Sequence, residues 1–141
     1  SGLLWKGTPN DILILTREGE IELCCTDFMI EELRRVLYYE RLQQRLMAIG
    51  VTFEEMVEYY RDIVTVYNEK SSVDTIKADV TDNRFIAAAL DSGAYIIVSG
   101  DKHLLDLKEH EKVQILNPVE FLYLYRELIA KEEKDKHDQE K

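Results

Sequence analysis

The stretch Asp82–Asp101, DNRFIAAALDSGAYIIVSGD, decides the fold. Its first half reads as a helix over Asp82–Ser92, with Phe85, Ile86, Ala89 and Leu90 on one face and Gly93 as the stop. Its second half, Tyr95–Ser99 (YIIVS), is apolar without alternation. That is the pattern of a strand buried on both faces, and such strands belong to parallel sheets covered by helices. Ser99-Gly100-Asp101 then sets an acid just past the strand. In open α/β sheets, ligands gather beyond the carboxyl ends of the strands.

The same alternation extends in both directions. Upstream, Thr8-Pro9-Asn10-Asp11 opens a helix that Gly19 ends, and Ile21–Cys25 (IELCC) reads as a strand. Thr26 or Asp27 caps a second helix to about Tyr39, Glu40–Ile49 continues helically, and Gly50 breaks it. Thr52-Phe53-Glu54-Glu55 has the form of a capping box for a helix to about Asp62. Ile63–Tyr67 (IVTVY) is a β-branched run, and Asn68–Thr81 is a polar loop. Downstream, a short helix near Lys102–Lys108 leads to a strand at Val113–Leu116. Asn117-Pro118 starts a last helix to about Ala130. Strands separated by helices predict an α/β fold, a three-layer α/β/α sandwich with a mostly parallel central sheet. One domain over residues 1–130 is expected, followed by a charged flexible tail at 131–141 that holds almost no apolar residue.

Composition narrows the function classes. No apolar run reaches the roughly 20 residues of a membrane span, and no secretory leader pattern is visible. Cys24 and Cys25 are adjacent and would point to opposite faces of a strand, which argues against a bridge between them. A cytoplasmic location is therefore expected. The net charge of −10, from 28 acidic and 18 basic residues, disfavours strong nonspecific binding to nucleic acid. It leaves room for a metal-dependent nuclease, whose bound cations reverse the charge of an acidic site.

Helical phase separates the acids. At about 100° per residue, Glu32 falls about 60° from the centre of the stripe Phe28, Met29, Leu33, Val36 and Leu37, and Glu31 about 160° away. Glu32 is then either a stripe-edge residue reaching water or an inward acid. Asp82 lies within about 20° of its own helix's apolar stripe, and it is equally suited to cap that helix. Asp101 can cap the helix of Leu104 and Leu105 or present its carboxylate at the strand end. Converging carboxylates repel one another unless cations hold them, and oxygen-only ligands suit magnesium or manganese. Arg34, Arg35, Arg41 and Arg45 form a basic cluster that is either a solvated face or an RNA-backbone contact. His103, His110 and His137 lack metal-site spacing, and there is no Gly-rich phosphate loop.

Three segments in this order carry a family resemblance: Thr26-Asp27-Phe28-Met29-Ile30-Glu31-Glu32-Leu33, Asp79-Val80-Thr81-Asp82-Asn83-Arg84-Phe85, and Val98-Ser99-Gly100-Asp101-Lys102-His103-Leu104-Leu105. Asn117-Pro118-Val119-Glu120-Phe121-Leu122 adds a closing strand-to-helix segment. Together they resemble the PIN domains, the nuclease fold of many toxins of toxin–antitoxin pairs. The resemblance implies Glu32, Asp82 and Asp101 as catalytic acids and metal ligands, with Asp79 a secondary ligand. Asn83 and Ser99 would support those ligands. It implies a Mg2+ or Mn2+ cofactor, single-stranded RNA as substrate, an antitoxin protein as partner, and a homodimer. The dimer face would carry Tyr38, Tyr39, Leu42, Leu46, Met47, Met56, Tyr59 and Tyr60.

One part of the family pattern has no match. The family's first strand is central and ends in an Asp, whereas Ser1-Gly2-Leu3-Leu4-Trp5 resembles the segment just after that strand. The strands Ile21–Cys25 and Tyr95–Ser99 are then each expected to lack a neighbour. The alternative function is a PIN-like protein-interaction module that does not cut.

Overall fold

The computed structural model describes residues 8–70 and 80–140. They form α1 (Thr8–Arg17), β1 (Cys24–Thr26), α2 (Asp27–Leu37), α3 (Glu40–Ile49), α4 (Phe53–Ile63), β2 (Thr65–Tyr67), α5 (Val80–Ser92), β3 (Ile96–Val98), α6 (Lys102–Leu107), β4 (Glu109–His110), β5 (Val113–Leu116) and α7 (Pro118–Gln139). The chain is an α/β protein. No described helix is long and apolar enough to cross a membrane.

Local chemistry sets the boundaries. Thr26 and Thr52 accept from the amides of Met29 and Glu55 and so start α2 and α4. Asn117 and Glu120 bond reciprocally at the start of α7. Gly50 and Gly93, with φ of +73° and +74°, close α3 and α5 in the left-handed region that other residues resist.

Two cores form. Cys25, Ile30, Leu37, Leu46, Met56 and Val57 pack together beneath α2, α3 and α4. Ile86, Leu104 and Ile115 form the second core, joining α5, α6 and β5. Burying a side chain such as Ile86, which has no exposed surface, is worth about 1.5–3 kcal/mol.

The sheet is in two pieces. β1 pairs in parallel with β2, in the register Cys24–Thr65, Cys25–Val66 and Thr26–Tyr67. β3 pairs in parallel with β5, and β4 adds antiparallel to the far edge of β5. Among the described residues no ladder joins β1 to β3, so the single central sheet expected from the sequence is replaced by two small ones. α5 packs against β1 and β2 on one side and β3 and β5 on the other, bridging both.

Between the two pieces lies a slot of about 820 Å³. Consecutive residues Ile21–Cys24 line one side and Ala94–Ser99 the other. Of these, Cys24 belongs to β1 and Ile96–Val98 to β3, and among the described residues β1 pairs with β2 alone and β3 with β5 alone. Phe85, Ala88, Ala89 and Ser92 of α5, Ile12 of α1 and Phe121 of α7 complete the wall.

Other expectations shift in detail. β1 starts at Cys24 rather than Ile21, because its ladder with β2 is only three residues long. β4 was not expected. It is a two-residue edge entered from Lys108, the α6 C-cap at φ +65°, and left through Glu111 at φ +53°, without a glycine to announce it. The last helix continues past Ala130 to Gln139, so the charged segment 131–139 is helical and exposed. Its Lys and Glu residues are good helix formers that need no core.

Candidate active site

α2 leaves β1 directly, with Thr26 ending the strand and capping the helix. Phase then decides the fate of the two adjacent acids. The Glu32 side chain is 27% exposed and lines the slot, whereas that of Glu31 is 62% exposed. Arg35, one turn on, also lines the slot, and its Nη2 donates to Glu32 Oε2 at 2.9 Å. Glu32 thereby holds the Arg35 guanidinium above its ordinary pKa.

Asp101 stands just beyond the carboxyl end of β3. Its Oδ1 accepts from the amides of His103 at 2.7 Å and Leu104 at 3.4 Å, capping α6. Ser99 supports it from the other side: the Asp101 amide donates to Ser99 Oγ at 3.0 Å, and the Ser99 amide donates to Leu116 O across the sheet. Asp101 and Ser99 both line the slot. The two readings of Asp101 are thus compatible, because the cap uses Oδ1 alone. Its other oxygen makes no hydrogen bond to a described residue.

Asp82 lies in the first turn of α5, and its side chain and all of Asp79 lie outside the described residues. Asn83 follows, 5% exposed. The first turn of α5 is pinned by Arg84, which the sequence reading did not single out. Its Nε and Nη2 donate to Glu69 Oε1 and Oε2 at 3.0 and 2.7 Å, and its guanidinium lies 3.5 Å over the Phe28 ring. Phe28 in turn meets Phe85 edge-on at 6.1 Å. Arg84 lowers the Glu69 carboxyl pKa through this bidentate bond. Only a fifteen-residue contact in space, not a spacing in sequence, could have revealed the clamp.

The basic cluster disperses. Arg34 pairs with Glu31 and Glu54 and lies 5.5 Å over Phe53, tying α2 to α4 away from the slot lining. Arg41 and Arg45 are exposed on α3. Arg35 alone of the four reaches the slot.

The slot also carries Glu22, which accepts from Tyr67 Oη at 2.9 Å, and the Cys24 thiol. Burial, then the charge of Glu22, push the Cys24 thiol above its ordinary pKa. Cys25 points the other way into the first core, with Sγ 3.2 Å from Tyr60 Oη. Burial raises both of those groups. No bridge joins the two cysteines.

Among the described residues no three His, Cys, Asp or Glu side chains cluster as a metal group would require. Glu32 and Asp101 are nevertheless hard oxygen donors that line the same slot, and Asp82 lies in the first turn of α5. That donor chemistry suits magnesium or manganese.

No curated protein and no solved structure matches the chain. A PIN domain family model matches residues 1–103, a span that holds α1 through β3 together with Glu32, Asp82 and Asp101. The chain belongs to the PIN domain family, a family of metal-dependent nucleases.

Proposed function

We propose that the protein is a Mg2+- or Mn2+-dependent ribonuclease that hydrolyses phosphodiester bonds of single-stranded RNA, acting as the toxin of a toxin–antitoxin pair in the cytoplasm. The observation that carries this reading is that Glu32 and Asp101 line one slot, although one follows β1 and the other β3. When bound, the cation would supply positive charge to the scissile phosphate and acidify the attacking water.

The chain's own residues would hold and orient. Asp101 is fixed by the α6 amides and Ser99, and Glu32 by Arg35. Asp82 and Asn83 sit on the turn that Arg84 pins, and Asp79 precedes it in sequence. Arg35 would meet RNA phosphate from the slot, with Arg41 and Arg45 as weaker outer contacts, whereas Arg34 is held by Glu31 and Glu54 away from the slot lining.

The slot also belongs to this reading. It lies beside β1 and β3, which share no ladder among the described residues, so a strand inserted there would pair with both. An apolar strand ending in an Asp would join the two pieces into one mostly parallel sheet between helical layers and complete the acidic set. A second reading is a PIN-like module that binds an antitoxin or another protein without cutting. It is favoured by the net charge of −10, which disfavours binding along an RNA backbone.

Manganese titration separates the two. A working site binds the ion and loses affinity in Asp101→Asn, with EDTA-sensitive cleavage of a single-stranded RNA. A scaffold is indifferent to both the ion and the substitution.

A further inference from the structure

The carboxylate offered to a cation at Glu32 already has a cation of its own. Arg35 Nη2 holds Glu32 Oε2 at 2.9 Å, while Arg35 Nη1 donates to Tyr39 Oη at 3.1 Å. The guanidinium is thus tethered at both ends along α2 and remains 61% exposed at the slot. An ion pair this open is weak and exchangeable, because water screens it and two long side chains must be ordered to form it. A divalent ion ligated by Glu32 would take the same lone pairs and repel the guanidinium. The released fork would stay beside Tyr39, facing the slot, with donors free for a phosphate.

We propose that Arg35 is an internal competitor for the cation at Glu32 and, once displaced by it, a phosphate contact for the RNA. One side chain would then offset the Glu32 charge in the cation-free site and make RNA binding follow cation binding. The proposal rests on the reading of Glu32 as a ligand, and it gives Arg35 two effects of opposite sign. A helix staple alone would give neither.

The test uses the full chain and three variants, Arg35→Gln, Glu32→Gln and Arg34→Gln. Manganese binding is read from the paramagnetic resonance signal of the free ion. RNA binding is read by fluorescence anisotropy of a labelled single-stranded oligonucleotide, with calcium in place of manganese to keep it intact. Arg35→Gln is expected to bind manganese about two- to fivefold more tightly, the range an exposed ion pair allows. The same variant is expected to bind RNA several-fold more weakly when the cation is present. Arg34→Gln, away from the slot lining, is expected to leave manganese affinity unchanged. Manganese affinity that is unchanged or lower in Arg35→Gln, while Glu32→Gln weakens it, overturns the proposal and leaves the metal site standing. Manganese affinity that Glu32→Gln does not weaken overturns the ligand reading and this proposal with it.

Discussion

Glu32 and Asp101 line the same slot although each belongs to a different half of a divided sheet. Glu32 rides on α2 above the first core, and Asp101 caps α6 above the second. α5 packs across both halves and carries Asp82 in its first turn. Glu32 and Asp101 therefore share a slot that lies between the two halves.

Substitution to Asn or Gln separates charge from structure at these positions. Asn caps a helix about as well as Asp, so Asp101→Asn should retain the α6 cap while losing the charge. Metal-dependent cleavage should fall by about 100-fold or more, the scale for removing one charge-stabilising group. The melting temperature without metal should be unchanged or slightly raised, since a like charge has gone. Asp101→Ala should cost about 1 kcal/mol of stability in addition. Asp82→Asn and Glu32→Gln should also inactivate, whereas Glu31→Gln should not. Inactivation by Glu31→Gln with Glu32→Gln intact would reverse the assignment.

The two cysteines report on opposite sides of β1. Cys24 faces the slot, and Cys25 is 1% exposed against Tyr60. A thiol reagent under native conditions should modify Cys24 alone, slowly at pH 7 because burial raises its pKa, and faster as the pH climbs. Occupation of the slot should protect it. Mass spectrometry of the labelled chain checks this, and native labelling at Cys25 first would show that the β1 register is wrong.

Glu69 links acid stability to the start of α5. Its carboxyl pKa is lower in the folded chain than in the unfolded one, chiefly through the hydrogen bonds from Arg84. The stabilisation is therefore present above the unfolded pKa and lost as pH falls through the lowered folded value. Glu69→Gln should lower the melting temperature at pH 7 by the small amount a half-exposed pair allows, below about 1 kcal/mol. The difference should shrink as the pH drops below about 4.3, the ordinary Glu value. A difference that persists at strongly acid pH would place the effect in packing on Phe28 rather than in the ion pair.

Much of this was legible from local signals. Helix starts at Thr26, Thr52 and Asn117 and stops at Gly50 and Gly93 follow from one or two residues each, because caps and left-handed turns are local chemistry. Phase alone separated Glu32 from Glu31. The division of the sheet could be anticipated only by comparison with a fold in which another strand stands between β1 and β3. No single-residue signal marks an unpaired edge. The Arg84–Glu69–Phe28 clamp and the β4 edge are contacts across the chain, invisible to periodicity.

Assembly calls for a narrower surface than the sequence indicated. Leu42, Leu46 and Met56 are buried in the chain's own interior, and Tyr60 meets Cys25. Of that set Tyr59 is half-buried and Tyr38, Tyr39 and Met47 are exposed, Met47 at 81%, and the exposed Ile49 of α3 adds to them. If the protein is a homodimer through this face, Met47→Glu should yield monomers in light scattering without lowering the melting temperature of the monomer. A wild-type chain that is monomeric at high micromolar concentration would rule the dimer out.

If the slot between β1 and β3 takes a strand that completes both the sheet and the metal site, manganese titration shows it most directly, comparing the 141-residue chain with the same chain preceded by an apolar strand ending in Asp. The added strand should raise manganese affinity and, in the same samples, the melting temperature. Asp101→Asn should abolish the gain in affinity. Tight manganese binding and RNA cleavage by the 141-residue chain alone, unchanged by the added strand, would contradict this reading of the slot.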